Sequence, residues 1–390
     1  MAGESRSEEA PGPPAEVRRL RTLGFRNLAS QELELGDGIT LLWGPNGAGK
    51  TNVLEAAAIA LSGRSCRTRN EREAIAFGEP LARAEVEVEG SSGHPTFTWS
   101  LRRDGERRHL VDGATASLEH LDLRPALAIF LPDRLALVKG PPSLRRSHVD
   151  RLVAALWPGR ADARRRYGRA LAQRNALLGR VRAGGASTDT LDAWDSELAR
   201  EGAELIDARR KAIEALAPAF AGAAADLGLP GKAALSYAPR SRAGSASELE
   251  AEVRDRREAD LARGHTTHGP HLDELAISLD GRAVRGYGSQ GEQRTTLLAL
   301  LFAERRALLE ARRTPPLMLL DDVMSELDPD RRALLTRRLA EGAGQTLITA
   351  TEPGQVPSGR EREEIAMRRG EAIPAGRPAR RDRSTPALAG

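Results

Sequence analysis

A glycine-rich segment near the start of the chain contains the clearest candidates for chemical function. Residues 44–51 read Gly-Pro-Asn-Gly-Ala-Gly-Lys-Thr and follow the apolar run Leu41–Trp43. In this pattern glycines let backbone N–H groups close around phosphate oxygens, a lysine reaches the β and γ phosphates, and a threonine hydroxyl binds Mg²⁺. A helix predicted from Val53 to Leu61 adds its N-terminal dipole. The candidate nucleotide-binding residues are Gly44, Pro45, Asn46, Gly47, Ala48, Gly49, Lys50, Thr51 and Asn52.

A second segment, far along the chain, supplies carboxylates. The apolar run Pro316–Leu320 predicts a strand that ends at Asp321 and Asp322. In a phosphate site of this kind a carboxylate holds Mg²⁺, directly or through water, and we assign that role to Asp321 together with Thr51. Asp322 is the candidate that orients or activates the attacking water. Asp322 and Lys50 are therefore the predicted catalytic residues.

The glycine-rich pattern can also arise in an ordinary turn, so its surroundings decide its meaning. A strand-like run precedes it and a helix-forming segment follows it, as a phosphate-binding loop requires. Lysine is scarce, because nearly all of the 59 basic residues are arginine and the lysines are those at positions 50, 139, 211 and 232. One of these few stands where the loop needs a compact ammonium group. These features favour a nucleotide site over a chance match.

A third segment, residues 288–294, reads Gly-Ser-Gln-Gly-Glu-Gln-Arg and leads into a helix predicted from Thr295 to Arg312. Ser289 is placed to cap that helix and Gly291 leaves room for close approach, so the first turn is a candidate second anion site. An ordinary capped helix is the alternative. The motif resembles the Ser-Gly-Gly-(Gln/Glu) signature of ABC-type ATPases, where this loop contacts the γ-phosphate of ATP held by a partner subunit. It predicts an ATP-dependent homodimer.

Composition limits the class of protein. The formal net charge is +4 and the pI is near 9.6, which permits nucleic-acid binding without establishing it. Cys66 is the one cysteine, which excludes an internal disulfide and a cysteine-based zinc finger. No apolar run approaches the roughly 18 residues of a membrane span, and residues 1–16 lack the apolar core of a signal peptide. We therefore expect a cytoplasmic protein in a reducing compartment, with no membrane partner.

The order of predicted elements indicates an α/β fold with an inserted domain. Two strands are predicted before the glycine-rich loop, and strand-like segments with turns between them continue to Val111, which predicts an antiparallel β subdomain. From Ser143 to Leu227 alanine, leucine, arginine and glutamate recur at helical spacing, which predicts an inserted, mainly helical domain. The predicted domains are a disordered lead at 1–16, a discontinuous ATPase head at 17–142 and 264–373, the helical insertion at 143–263, and a disordered tail at 374–390.

Three stretches in or beside the insertion allow more than one interpretation. Residues 145–182 contain eleven arginines, which favour a solvated helical face over a DNA-contacting one. Residues 228–263 read as a loosely packed or poorly ordered connection. The loop that follows holds three histidines whose spacing invites a metal site, but a Gly-Pro loop gives no helical face and no cysteine is available as a further ligand. We assign no metal to His265, His268 and His271.

Taken together, the motifs resemble the RecF family of bacterial recombination mediators, which is related to the SMC ATPases. The matching segments lie between residues 17 and 351, in the family's order. They are Phe25 to Asn27, Gly44 to Glu55, Ser62 to Ser65 with Arg67, Leu137 to Pro142 with Arg145 and Arg146, Gln173 to Leu178, Trp194 with Asp195, Gly269 to His271, Tyr287 to Gly291, Leu320 to Val323, and Ser325 to Asp328.

The resemblance implies an ABC/SMC-type P-loop ATPase head that uses ATP and Mg²⁺. It implies a clamp that dimerises on ATP, hydrolyses it slowly under stimulation by DNA, and binds duplex DNA at single-strand gaps. It also implies partnership with RecR, alone or with RecO, in loading RecA onto strands coated with SSB. Arg67, from the arginine-rich loop beside the phosphates, joins Ser289 and Gly291 among the candidate nucleotide-binding residues, and Ser325–Asp328 resembles the loop that crosses the dimer interface.

Some segments depart from the family pattern. Leu272–Glu274 stands where the family has Arg-Asp-Asp, and Leu131–Leu135 stands where it has Ser-Pro-Glu-Asp-Leu. Thr349–Thr351 stands where ABC transporters carry a switch histidine, which disfavours one alternative function, a transporter subunit. The other alternative is a DNA-binding scaffold that binds ATP but hardly hydrolyses it.

Overall fold

The computed structural model describes residues 15–68, 70–90, 93–117, 120, 123–131, 134–325, 327–342, 344–356 and 362–374. Within these ranges the chain forms two compact units. The sheet unit contains residues 16–116, 319–326 and 336–374, and the helical unit contains residues 117–318 and 327–335. This division follows packing, and the predicted domain boundaries stay a prediction.

Strands and helices alternate irregularly along the described chain. The strands are β1 (Glu16–Leu23), β2 (Gln31–Glu34), β3 (Ile39–Trp43), β4 (Leu81–Glu89), β5 (Thr96–Arg102), β6 (Arg107–Val111), β7 (Ala114–Thr115), β8 (Leu127–Phe130), β9 (Ala233–Ala238), β10 (Glu274–Leu279), β11 (Arg282–Ala283), β12 (Leu317–Leu320), β13 (Thr346–Ala350), β14 (Arg362–Arg368) and β15 (Glu371–Pro374). The helices are α1 (Lys50–Ser62), α2 (Leu135–Lys139), α3 (Pro142–Leu156), α4 (Ala163–Arg182), α5 (Leu191–Asp226), α6 (Ala246–Asp255), α7 (Arg257–Arg263), α8 (Val284–Tyr287), α9 (Gln290–Arg312) and α10 (Pro329–Glu341).

One sheet of the sheet unit is antiparallel throughout. Its strand order is β2-β1-β4-β5-β6-β7. Buried positions alternate with more exposed ones along β4 and β5, because one face of the sheet is packed. Phe97 and Trp99 lie on the packed face, and Phe25 meets Trp99 edge to face with 6.1 Å between ring centroids. The predicted antiparallel β subdomain is confirmed.

The other sheet of this unit brings the ends of distant segments together. Its strands run in the order β15-β14-β3-β13-β12, and β3 is parallel to both β13 and β14. Leu41 and Leu42 of β3, like Leu347 and Ile348 of β13, are fully buried, as expected for parallel strands covered on both faces. Because β3 and β13 are parallel neighbours, the residues after their carboxyl ends lie at the same edge. The glycine-rich loop begins at that edge.

The helical unit is organised around α5, a helix of 36 residues that packs against α3, α4, α6 and α9. Arg174 of α4 is fully buried in this unit. Its Nε donates to Asp195 at 2.6 Å, and its Nη1 donates to Asp260 at 2.6 Å and to Thr266 at 2.8 Å. These partners compensate the buried charge, which would otherwise be strongly unfavourable.

Six of the eleven arginines at 145–182 are exposed, as the sequence favoured, but Arg145, Arg166 and Arg174 are not. Arg145 is 5% exposed, and its Nε and Nη2 donate to the two oxygens of Glu274 at 2.7 and 2.8 Å. Arg166 donates from Nε to Glu201 at 2.7 Å, and Arg174 is buried as described above. The expectation is therefore wrong for these arginines, because acidic partners from distant segments pair with them.

The expectation of a poorly ordered connection at 228–263 is wrong as well. This stretch forms β9, α6 and α7, and β9 pairs with β10 in an antiparallel sheet of order β11-β10-β9. Ser245 caps α6 by accepting a hydrogen bond from the Glu248 amide at 3.2 Å, and Leu249 and Val253 pack into the core of the helical unit. The apolar residues were too sparse to predict these elements, but the few that matter are buried: Leu249 and Val253 are each 1% exposed.

The sheet unit corrects the predicted number of strands before the glycine-rich loop. β1 begins at Glu16, and β15 extends to Pro374 and pairs with β14. The predicted disordered lead and tail otherwise lie at 1–14 and 375–390, outside the described residues. Three strands precede the glycine-rich loop instead of two, because each of the two turns, near Asn27 and at Gly36–Gly38, separates its own pair of strands.

Candidate nucleotide site

The glycine-rich loop joins the end of β3 to the start of α1, and its glycines meet a steric requirement. Gly44 has φ of 150°, and a Cβ atom there would lie 2.2 Å from the carbonyl oxygen of Met367. Gly49 has φ of 102°, and its Cβ would lie 2.9 Å from Leu28 Cδ2. A side chain at either position would be strained and would collide with its neighbour. The conformation of this loop therefore requires glycine at both positions.

Lys50 is the first residue of α1, and its ammonium group lies against the loop. The Nζ atom donates to the carbonyl oxygens of Gly44 at 2.7 Å and Pro45 at 3.0 Å. Burial lowers the pKa of Lys50, while the negative charges of Asp322 and Asp321 act in the opposite direction. The ammonium group is thus held by neutral carbonyls close to two carboxylates. A small rotation of the side chain would bring it to an anion bound at the loop.

Thr51 and Asp321, which the sequence assigned to Mg²⁺, are in direct contact. The Thr51 Oγ1 atom donates to Asp321, with distances of 2.8 Å to Oδ1 and 3.0 Å to Oδ2. Thr349, at the end of β13, also donates to Asp321 Oδ1 at 2.8 Å. Burial raises the pKa of Asp321, and the neighbouring charge of Asp322 adds to the rise, while the two threonine hydrogen bonds oppose it. Removing the buried charge of Asp321, or binding a cation to it, would offset the energetic cost of keeping this carboxylate ionised.

Asp322, the residue after Asp321, has a strained backbone and a buried side-chain oxygen. Its φ is 47°, in the left-handed region, and its amide donates to Thr349 Oγ1 at 2.8 Å. Its Oδ1 atom is buried and has no hydrogen-bond partner among the described residues. The Thr51 hydroxyl and the Asp321 carboxylate supply the oxygen ligands that Mg²⁺ prefers, and the unpaired Oδ1 of the adjacent Asp322 can accept a hydrogen bond from a water molecule of the ion, so these residues fit a hydrated Mg²⁺ ion.

A buried carboxylate, Glu55, fixes the loops around the phosphate segment. Arg26 donates to both of its oxygens at 3.0 Å, Ser65 Oγ donates at 2.6 Å, and Arg67 Nη1 donates at 3.2 Å. Burial would raise the pKa of Glu55, but the hydrogen bonds and charges of these partners outweigh it and lower the pKa. Arg67 also donates to Asn52 Oδ1 at 2.7 Å. The guanidinium of Arg67 is thus positioned beside the start of α1.

In the helical unit, Ser289 caps α9 as the sequence predicted. The Ser289 hydroxyl accepts from the Glu292 amide at 3.2 Å, and the Glu292 carboxylate accepts from the Ser289 amide at 2.6 Å, which together form a capping box. The amides of Gln290 and Gly291 lie in the first turn, where a helix offers them no internal acceptor. Arg331 Nη1 would lie 3.4 Å from a Cβ atom at Gly291. The start of α9 thus combines helix amides with a guanidinium.

The histidines of the loop before β10 turn to separate partners. His268 Nε2 lies 2.6 Å from Glu252 Oε2, and His265 Nδ1 lies 3.2 Å from the carbonyl of Arg263. His271 Nδ1 lies 2.6 Å from the hydroxyl of Tyr167. Their contacts are structural ones within the helical unit.

The structure brings most of the predicted site residues of the sheet unit into one neighbourhood. Residues 44–52 form the loop and the start of α1, Arg67 reaches Asn52, and Asp321 contacts Thr51. Ser289 and Gly291 belong to the helical unit. The roles assigned to these residues stay predictions.

Sequence reasoning missed three polar residues. Thr349 bridges Asp321 and Asp322, Glu55 anchors Arg26 and Arg67, and Arg331 lies beside Gly291. A signal for Thr349 was present, because it ends an apolar strand just as Asp321 does. Glu55 ends the segment 44–55 that resembles the family, and Arg331 lies in the first turn of α10, but no local pattern gave either residue a role at the site.

Comparison with known proteins identifies the family of this chain. Residues 16–373 match the family model described as RecF/RecN/SMC N terminal domain. The chain is 34% identical over 348 residues to the DNA replication and repair protein RecF of Heliobacterium modesticaldum, covering 86% of this chain and 92% of that protein. It is 38% identical over 333 residues to the protein of the same name from Deinococcus radiodurans, covering 85% and 89%.

A solved structure agrees closely with this fold. It is the recombination mediator protein RecF-ATPrS in the RecFOR pathway, and it superposes with a TM-score of 0.85 at 27% identity, covering 94% of this chain and all of that one. Among the described residues no helix is both long and apolar enough to cross a membrane. The extent of the family match and the identity to full-length relatives show that this chain belongs to the RecF family of ABC/SMC-type ATPases.

Proposed function

We propose that this protein is an ATP-gated DNA clamp that works in recombinational repair and replication restart. Two copies would sandwich two ATP molecules and close on duplex DNA beside a single-strand gap. The observation that carries the proposal is the contact of Thr51 with Asp321 beside a glycine-rich loop whose carbonyls bind the ammonium group of Lys50. The relatives of this chain are named DNA replication and repair proteins. Hydrolysis would open the clamp, so turnover acts as a switch.

Within one copy, the residues of the sheet unit would bind and orient the phosphates. Lys50 would leave the carbonyls of Gly44 and Pro45 for phosphate oxygens, and the loop amides would surround them. Mg²⁺, held by Thr51 and Asp321, would neutralise the charge that develops during phosphoryl transfer. Asp322 would orient the attacking water through its unpaired Oδ1, and Thr349 would hold both aspartates in place.

The second copy would contribute the start of its α9. The amides of Gln290 and Gly291 and the nearby guanidinium of Arg331 would face the γ-phosphate bound by the first copy. Ser289 would hold the helix end in the required geometry through the capping box. A phosphate bound on both sides would favour the closed dimer over free monomers, which is a shift in population.

The DNA and protein partners that we propose are inferred from membership of the family. The relatives' names place them in DNA replication and repair, and the RecFOR pathway names the solved relative's context. We therefore propose RecR, with RecO, as partners and RecA loading onto SSB-coated DNA as the outcome. The net charge of +4 is compatible with binding to the DNA backbone.

The test is the rate of ATP hydrolysis with and without duplex DNA at several salt concentrations. The clamp predicts slow turnover that DNA stimulates, with stimulation that fades steeply as salt rises. Turnover that ignores DNA would contradict the clamp. DNA binding without any turnover would contradict the proposed switch.

A further inference from the structure

A fully exposed phenylalanine, Phe77, stands on a tight turn of the sheet unit. Its relative exposure is 105%, the largest among the exposed large hydrophobic residues of the described chain. The Glu79 amide donates to the Ala76 carbonyl at 3.1 Å, and Gly78, with φ of 85°, occupies the third position of the turn. The Ala76 amide donates to the Gly24 carbonyl at 2.8 Å, which fixes the turn to the end of β1. The ring is therefore displayed on a fixed support.

Arg103, next to β5, clamps the same turn from the side. Its Nε donates to the carbonyl of Glu79 at 2.5 Å, and its Nη2 donates to the carbonyl of Ala76 at 3.3 Å. These acceptors are neutral, so the positive charge of the guanidinium is not cancelled by them. The clamp fixes the turn on both sides of Phe77 and keeps a cation beside the ring.

Arg72 supplies a second positive charge at this place. Its guanidinium has no acidic partner within 4 Å among the described residues, unlike Arg102, which pairs with Asp104 at 3.3 Å. Arg72, Ile75, Phe77 and Arg103 line one open surface cavity of about 430 Å³. That volume lies in the range of sites that hold small organic ligands. The cavity thus offers an aromatic face, an aliphatic wall and two uncompensated guanidinium groups.

We propose that this cavity, the Phe77 site, binds one unpaired nucleotide of a DNA strand. The ring would stack on the base, and Arg72 and Arg103 would face the phosphate. An acidic peptide would pair with the arginines but leave the exposed aromatic ring without a planar partner, whereas a nucleotide uses both features. Because the turn is already rigid, stacking requires little further ordering of the protein. The proposal rests on the DNA-binding function proposed above. It specifies that this site binds the single-stranded part of a gapped DNA.

The first measurement compares Phe77→Ala with wild type for binding to two fluorescent DNAs at one salt concentration. One is a continuous duplex and the other is a duplex of the same length with a single-strand gap. We expect Phe77→Ala to bind the gapped DNA about tenfold more weakly and the continuous duplex as well as wild type does, because stacking of one base is lost. Leu23→Ala, which truncates a 46% exposed apolar residue of the same unit, is the control.

Two further variants separate stacking from charge and from folding. Phe77→Trp should keep the affinity for gapped DNA, and its added indole fluorescence should be quenched when the base stacks. Arg72→Ala should weaken binding to gapped DNA. It should also reduce the slope of log K against log salt concentration by about one, while Arg102→Ala should change neither quantity.

The outcomes distinguish this site from the proposed function. If wild type binds gapped DNA and Phe77→Ala binds it equally well, the Phe77 site is wrong and the clamp survives. An equal loss on gapped and continuous duplex also overturns the site, since stacking on an unpaired base was the claim. If wild type binds neither DNA, the proposed function itself fails.

Discussion

The two segments that we assign to phosphate binding differ in what their polar groups contact. In the sheet unit, Lys50 is hydrogen-bonded to the Gly44 and Pro45 carbonyls and Thr51 to Asp321. In the helical unit, Ser289 and Glu292 bind each other's backbone amides through the capping box. The amides of Gln290 and Gly291 have no acceptor within the helix and can bind an external one.

These contacts indicate which segment must rearrange when phosphate binds. The glycine-rich loop must exchange internal hydrogen bonds for bonds to phosphate, so part of the binding free energy replaces existing contacts. The start of α9 is organised beforehand and keeps its cap when an anion arrives. We therefore expect substitutions in the loop to act on nucleotide binding itself, and substitutions at α9 to act on association of two copies.

The largest effect should come from Lys50→Ala. It removes the ammonium group that leaves the loop carbonyls for phosphate, so ATP should bind roughly 100-fold more weakly and ATP-dependent dimers should not form. Equilibrium binding of a fluorescent ATP analogue and light scattering measure the two effects. Lys211→Ala, which removes a surface lysine paired with Asp207 at 3.0 Å, is the control. Normal dimerisation of Lys50→Ala would refute the assignment of this loop.

Asp322→Asn should remove turnover and leave association intact. The amide keeps the size of the side chain but cannot accept a proton from water, so hydrolysis should fall about 100-fold or more while the ATP dimer persists on DNA. Steady-state hydrolysis and the lifetime of the DNA complex measure this. Asp330→Asn, at an exposed position of α10, should behave as wild type. Unchanged turnover in Asp322→Asn would remove its catalytic role.

Ser289→Arg sharpens the contrast between the two segments. The long cationic side chain breaks the cap and fills the space beside Gly291, so dimerisation should weaken at least about tenfold while each monomer binds ATP normally. Ser289→Thr keeps a capping hydroxyl and should dimerise as wild type. A Ser289→Arg protein that dimerises normally would show that α9 does not contact the partner's nucleotide.

Asp321→Asn should raise the stability of the free protein while it weakens Mg²⁺-dependent binding. The folded pKa of Asp321 is raised, so the ionised carboxylate is unfavourable at neutral pH and the neutral amide relieves it. We expect Tm at pH 7 to rise by roughly 2 °C, and the difference to vanish as pH falls and wild-type Asp321 becomes protonated. Asp255→Asn, at an exposed position, is the control. A lower Tm at pH 7 would contradict the reasoning.

The sequence was sufficient for the elements that carry dense, periodic signals. The loop before α1, the carboxylates after β12 and the capped start of α9 were all placed correctly, because glycine spacing, apolar strands and capping residues are local properties. The antiparallel strands β4 and β5 were predicted for the same reason.

Pairing between distant residues could not be predicted. Arg145 and Arg174 looked like surface cations because their partners, Glu274 and Asp260, lie 129 and 86 residues away. Thr349 acquires its role from strand order, which places the end of β13 beside the aspartates. Such information depends on topology, and no local pattern contains it.

The partners of Arg174 also limit how the chain can fold during synthesis. Asp195 emerges soon after Arg174, but Asp260 and Thr266 emerge much later, and they complete the charge compensation. Until α7 is made, α4 and α5 cannot enclose this guanidinium without leaving it partly unpaired in the core. The helices should therefore stay loosely packed on the ribosome and consolidate in one late step, when the histidine-containing loop docks.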